Sequence, residues 1–198
     1  ARLRGRLAGL ITSGEFTGRL GQVSILHVAP GERLRAKRVV LAGLGKRKDV
    51  SLEKLRQAAG SAAKAIRNAG AKSFAVPAQD LARLLTSAPA VNRVRDVAQT
   101  LSEGALLGLY QFTTYRTERT DDTSKAVRKM SVVVSDPRAL AQARQGVRQG
   151  QIIGEATTFV RDLCNHPANV VTPTYIANAA KKIARERGVS AKVLDRPA

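Results

Sequence analysis

The stretch Arg161–Tyr175, RDLCNHPANVVTPTY, decides how the chain divides. Upstream of it Ile152, Ile153, Ala156, Phe159, Val160 and Leu163 recur at three- and four-residue steps, the spacing of one helical face. That helix must end near His166, because Pro167 has no N–H and biases the residue before it away from helical backbone. A second helix is predicted from Thr172-Pro173: a hydroxyl at the N-cap and proline at the first helical position, where a missing donor costs nothing. Two helices joined by a short proline-fixed segment read as a domain junction. One body precedes it, and the residues beyond it read as the opening of a second.

Outward from the junction, the N-terminal side alternates strands and helices. Leu3, Leu7, Leu10 and Ile11 share a helical face that Gly14 would end. Strands are predicted near Gln22–Val28 and Arg38–Leu44; the second is almost continuously apolar, as for a central strand covered on both faces. Ser51 is placed to cap a helix carrying Leu55, Ala59, Ala62 and Ile66 inward, with Gly70 as its stop. Next come a strand at Ser73–Val76, a short helix at Leu81–Leu85 and a long helix from Val91 to Tyr110. Gly104 and Gly108 weaken that long helix, so close packing against a neighbour is the expected compensation. A polar loop through Asp121-Asp122 leads to a strand at Ser131–Ser135, and Asp136-Pro137 opens the helix that reaches the junction. Past the junction, Ile176, Ala179, Ala180 and Ile183 are expected inward on a helix ended by Gly188, with a strand starting at Ala191–Leu194. The pattern is that of an α/β fold with a mixed sheet flanked by helices and a long connecting helix. The expected division is 1–136 for the α/β domain, 137–165 for the connecting helix, and 166–198 for the start of an incomplete further domain.

The 43% hydrophobic content of these 198 residues is enough to fill a core, but aromatics are only 4%, so the core must be built from Ala, Val, Leu and Ile. No apolar run approaches the roughly 20 residues of a membrane helix, and ARLRGRLAGLI does not read as a signal peptide. The lone Cys164 has no internal disulfide partner, which fits a reducing, cytoplasmic setting, and it reads as a small buried hydrophobe.

Charge is the anomaly. The net charge is +19, and residues 1–48 hold 11 Lys and Arg against two Glu. Arg33, Arg35, Lys37, Arg38, Lys46, Arg47 and Lys48 are the candidate nucleic-acid contacts, since such a field attracts polyanions. A solvated basic face, or acidic sequence elsewhere that neutralises it, explains the same charge. No helix-turn-helix or zinc-finger spacing accompanies it, and no aromatics interleave for stacking. Gly43-Leu44-Gly45-Lys46 reads as a strand-to-helix turn and not as a phosphate loop, because Lys48 stands where a third glycine belongs. His27 reads as a packed or partly exposed histidine, and Glu103 and Glu155 read as isolated surface carboxylates. No catalytic or metal-binding constellation is present in this stretch.

Several segments resemble the leucyl aminopeptidase (cytosol aminopeptidase) family of metallopeptidases. They are RVVLAGLGK (38–46), SLEKLRQAAGSAAKAI (51–66), EGALLGLYQFTTYR (103–116) and RDLCNHPANVVTPTYIA (161–177), with Phe16-Thr17-Gly18 ahead of the first clear strand. The resemblance implies an N-terminal α/β domain, a connecting helix and a C-terminal catalytic domain with two divalent metals, Mn or Zn. Such a pair polarises the peptide carbonyl and supplies a bound hydroxide. It also implies peptide substrates, a homo-hexamer, a cytoplasmic setting and, for some members, DNA as a further partner. None of the family's metal-ligand or catalytic motifs matches a position here, and the family's opening strand is missing. The expectation is therefore a fragment cut at both ends: the non-catalytic N-terminal part of an aminopeptidase. A nucleic-acid-binding module, or a truncated paralogue kept for assembly, is the alternative.

Overall fold

In a computed structural model, residues 2–32, 34–85, 92–117 and 126–194 are described. The chain divides into two compact units, Ala1–Thr157 and Thr158–Ala198.

In the first unit, helix α1 (Arg2–Thr12) is tied to the end of strand β1 (Val23–His27) by Arg6, whose guanidinium donates to the His27 carbonyl at 2.7 Å. Leu7 and Leu10 are half-buried and Ile11 is exposed; the Leu3 side chain lies outside the described ones. Strand β2 (Arg38–Ala42) runs antiparallel to β1, with Val23 opposite Ala42 and His27 opposite Arg38. The strand is half-buried throughout and ends two residues early. It turns at Gly43, where any Cβ would meet the Gly18–Arg19 backbone, and at Gly45, whose φ of +76° suits glycine. The Gly45 N–H donates to the Gly18 carbonyl at 2.9 Å, so the Gly-Leu-Gly turn closes on its own chain.

Helix α2 (Leu52–Asn68) starts where Ser51 Oγ accepts from the Lys54 N–H at 3.3 Å. It ends in a Schellman turn: Gly70 N–H donates to the Arg67 carbonyl, Ala71 N–H to the Ile66 carbonyl, and Gly70 takes the left-handed backbone. Strand β3 (Ser73–Pro77) leads into α3 (Ala78–Ala82), three residues ahead of the predicted helix. The shift follows the small residues: Ala78 and Ala82, four apart, are the buried pair. Strand β4 (Lys129–Val133) pairs parallel with β3 and starts two residues before the predicted SVVVS strand. Met130, Val132 and Val134 alternate onto the core, and that alternation sets where the strand begins. At its end, Gln79 Oε1 accepts from the N–H groups of both Ser135 and Asp136 at 2.8 Å.

The α/β class holds, with parallel and antiparallel pairing both present. Among the described residues the strands form two two-stranded ladders, β1–β2 and β3–β4, and not one continuous sheet.

Helix α4 (Arg93–Leu109) is the centre of the unit, buried on nearly every side from Val97 to Ala105. Its glycines are the close-approach points the sequence required. A Cβ on Gly104 would strike the Arg56 carbonyl of α2, and one on Gly108 would strike the Gly60 backbone. Helix α5 (Leu140–Asn165) meets α4 through a second set at four-residue steps, Gly146, Gly150 and Gly154, against Arg95, Gln99 and Leu106. This overturns the predicted inner face of α5. Ile152 and Ile153 are exposed, because glycines let the α5 backbone sit on α4 where large side chains would hold it off.

The Asp136 carboxylate caps the short 3₁₀ turn Pro137–Ala139, accepting from the Arg138 N–H at 2.9 Å and from Arg138 Nε. The Arg138 side chain first, and its backbone N–H second, hold the Asp136 carboxyl below its ordinary value. A carboxylate with a depressed folded pKa stabilises above the ordinary carboxylate range and loses that contribution as pH falls through it. Asp136→Asn is therefore expected to lower thermal stability slightly at neutral pH, with the gap to wild type closing as pH falls below the ordinary carboxylate range. Parallel melts across pH check this.

In the second unit, the end of α5 gives way at Pro167, whose carbonyl accepts from the N–H groups of Val170 and Val171. Helix α6 (Pro173–Arg187) opens as predicted, with Thr172 Oγ1 accepting from the Tyr175 N–H at 3.3 Å, and stops at left-handed Gly188. Ile176 and Ile183 are exposed, contrary to expectation, and only Ala184 of α6 is buried. Cys164 is exposed and not buried, because it lies on the open side of its helix with Phe159 and Val160. Residues 191–194 form no strand; among the described residues of this unit there is no strand for them to pair with.

Candidate functional site

Two of the concave regions among the described residues lie within the first unit. One is an apolar cleft of about 230 Å³, floored by α2 and α4 and walled by β2 on one side and β3 on the other. Every residue lining it is apolar, including Val40, Ala42, Val76 and Leu101, so it offers no group for acid–base or metal chemistry. The other is a groove of about 520 Å³ between α4, β4 and α5. Leu106, Leu109 and Val147 contribute apolar surface, and Arg128, Lys129, Arg144 and Arg148 bring cations to it.

The candidate nucleic-acid contacts fall into two groups. Arg35 and Lys37 are exposed on the connection from β1 to β2, and Arg38 starts β2. Arg38 is already used: its guanidinium donates to the Ala69 carbonyl at 2.6 Å, pinning the end of α2. Lys46, Arg47 and Lys48 lie beyond the other end of β2, exposed around the 3₁₀ turn Arg47–Asp49 that buried Val50 anchors to the core. A five-residue strand separates the groups by on the order of 13 Å, so they form two clusters at opposite ends of one strand. Arg33 lies outside the described residues, as do Asp121 and Asp122.

Glu103 is the clearest misreading from sequence. It is buried, not a surface carboxylate, and its Oε1 accepts from Arg56 Nε at 2.9 Å, joining α4 to α2. Arg56 also pairs with Glu53 one turn earlier. Arg67, 8% exposed, donates to the Leu109 carbonyl from the far end of α2. The sequence did hold a signal: Arg56 and Arg67 sit beside Leu55 and Ile66 on the inward stripe, where a solvated cation has no place. Glu155 is exposed, with Gln151 Nε2 donating to it at 2.7 Å. Among the described residues no three His, Cys, Asp or Glu side chains gather closely enough to hold a metal ion.

The fold is matched elsewhere. Residues 1–119 match the profile of the cytosol aminopeptidase family, N-terminal domain. The chain belongs to that family. A probable cytosol aminopeptidase of Geobacter sulfurreducens is 36% identical over 194 residues, covering 98% of this chain and 36% of the relative. The corresponding protein of Geobacter sp. strain M21 is 34% identical over 195 residues, covering 98% and 37%. Among solved structures, the bottromycin maturation enzyme BotP in complex with Mn superposes with a TM-score of 0.67 at 28% identity, over 90% of this chain and 33% of BotP. A mutant tomato leucine aminopeptidase gives a TM-score of 0.72 at 24% identity over 94% of this chain and 34% of its own, a likeness of fold. The chain thus spans little more than a third of the length of the cytosol aminopeptidases it matches. No described helix is long and apolar enough to cross a membrane.

Proposed function

We propose that this chain is the N-terminal, non-catalytic part of a cytoplasmic, metal-dependent aminopeptidase that removes N-terminal residues from peptides. The observation that carries the reading is the match of residues 1–119 to the N-terminal domain of the cytosol aminopeptidase family, with full-length relatives almost three times as long. On this reading 1–136 is the α/β domain, 137–165 the connecting helix and 166–198 the start of the catalytic domain. The divalent metals, Mn or Zn, belong to sequence outside these residues; BotP was solved with Mn. The described residues do not fit a metal pair, because their carboxylates are dispersed and Glu103 is spent on Arg56. No catalytic step is assigned to them.

This region's task is then structural: to support assembly, as a homo-hexamer, and to shape access to the active site. Arg38, one of the candidate contacts, is spent on the Ala69 carbonyl, which weighs against a nucleic-acid module.

Activity tests the reading. The full-length polypeptide, stripped of metal and given Mn or Zn, should release leucine from Leu-p-nitroanilide, and residues 1–198 should release none above buffer under the same conditions. Turnover by a pure preparation of residues 1–198 would overturn it.

A further inference from the structure

Leu140, Ala143, Arg144, Val147, Arg148 and Gln151 recur at three- and four-residue steps, so one face of α5 walls the groove between α4, β4 and α5. Ala143 is buried, Val147 is half-buried, and Arg144 and Arg148, one turn apart, are exposed. This wall is on the order of 16 Å long, about three helical turns. The β4 side repeats the pattern. Met130 and Val132 pack inward, and Arg128 keeps their alternation one residue before the strand begins. Lys129 borders the groove beside it, and both cations are exposed.

Four cations from two elements thus border one apolar floor. Among the described residues none of the four pairs with a carboxylate. Arg56, Arg83, Arg95 and Arg138 of the same unit each do. Local sequence explains the difference: from Ala126 to Gly154 there are five Lys and Arg and one acid, Asp136, which Arg138 holds. Arg144 and Arg148 repel across one turn of α5. Carboxylates brought to the groove would relieve that repulsion, and an apolar stripe between them would cover the floor.

We propose that this groove docks an acidic amphipathic helix of a separate protein. Its apolar side chains, at i, i+4 and i+7, lie on Leu106, Leu109 and Val147. Its acidic flanks face Arg144 and Arg148 on one side and Arg128 and Lys129 on the other. Cations on both walls select that shape. A fatty acid carries its charge at one end, and duplex DNA has no apolar stripe for the floor. A second copy docked symmetrically by this patch would set the same cations against each other. This role goes beyond assembly and active-site access and does not depend on peptidase activity.

Fluorescence anisotropy with the purified natural polypeptide tests the proposal, in about 0.15 M salt, where charges more than ~8 Å away are largely screened. The probe is a labelled helical peptide of three turns with leucine at i, i+4 and i+7 and glutamate on both flanks. It should bind saturably, and Arg144→Glu with Arg148→Glu should weaken it at least about tenfold. Lys46→Glu with Lys48→Glu, the same charge change outside the groove, should weaken it less than about twofold. All four side chains are exposed, so neither pair of substitutions disturbs the core. Serine in place of the peptide's leucines should also cost about tenfold or more. Equal losses from the two reversals would overturn the proposal, since overall positive charge would then hold the peptide. So would binding that survives removal of the leucines, or no saturable binding at all. Duplex DNA whose affinity falls with the Arg144 and Arg148 reversal, while the peptide's does not, would overturn it in favour of a polyanion site.

Discussion

Gly104→Ala is expected to lower the stability of the first unit by about 2 kcal/mol, although alanine is the better helix former. Taken alone, the substitution inside a helix gains about 1 kcal/mol. Here the added Cβ falls against the Arg56 carbonyl and stands 3.1 Å from the Ala59 Cβ, so α2 and α4 must move apart. Overpacking costs about 1–3 kcal/mol even where side chains can yield, and a backbone carbonyl yields least. In a protein of this size that loss corresponds to a drop in melting temperature of roughly 4–8 °C. The control is Gly9→Ala in α1, where a Cβ meets nothing within 4 Å. It should gain about 0.5–1 kcal/mol. If both variants are stabilised, the glycine seam between α2 and α4 does not exist.

The Arg56–Glu103 pair gives the second large effect. Removing one member of a buried pair strands the other, at a cost of about 3–5 kcal/mol when both are fully enclosed. Arg56 keeps Glu53 as a partner and its side chain is 28% exposed, so Glu103→Ala should cost about 2 kcal/mol. Glu103→Gln, which retains an acceptor oxygen, should cost about half as much. The double replacement Arg56→Met with Glu103→Leu should recover most of the loss, because an apolar pair of similar volume replaces both charges. Urea midpoints at constant slope measure all three. No loss with Glu103→Ala would show that the pair is solvated and does not join the helices.

These two seams mark what could be read from the sequence. Caps and stops were legible, because Ser51, Asp136, Thr172, Gly70 and Gly188 act through their own few neighbours. Gly104 and Gly108 announced close packing, since glycine in a long helix calls for compensation. The partner was not legible. Whether a helix buries its apolar or its glycine face depends on which neighbour it meets, and α5 chose Gly146, Gly150 and Gly154 over Ile152 and Ile153. Glu103 was misread for the same reason: its partner is 47 residues away. The apolar run in β2 suggested a central strand, yet among the described residues β2 pairs on one edge only. Its sequence is that of an interior strand, and its pairing among the described residues is that of an edge. The basic residues illustrate another limit. Within one short stretch of sequence, Arg35, Lys37 and Arg38 stand at one end of β2 and Lys46, Arg47 and Lys48 beyond the other.

Whether residues 1–198 are the non-catalytic opening of a longer aminopeptidase is decided by the intact mass of the polypeptide made in its source cells. The expected mass lies far above the 21.2 kDa of this stretch. A natural product near 21.2 kDa would contradict that reading, leaving a protein with the family's N-terminal fold and no catalytic domain.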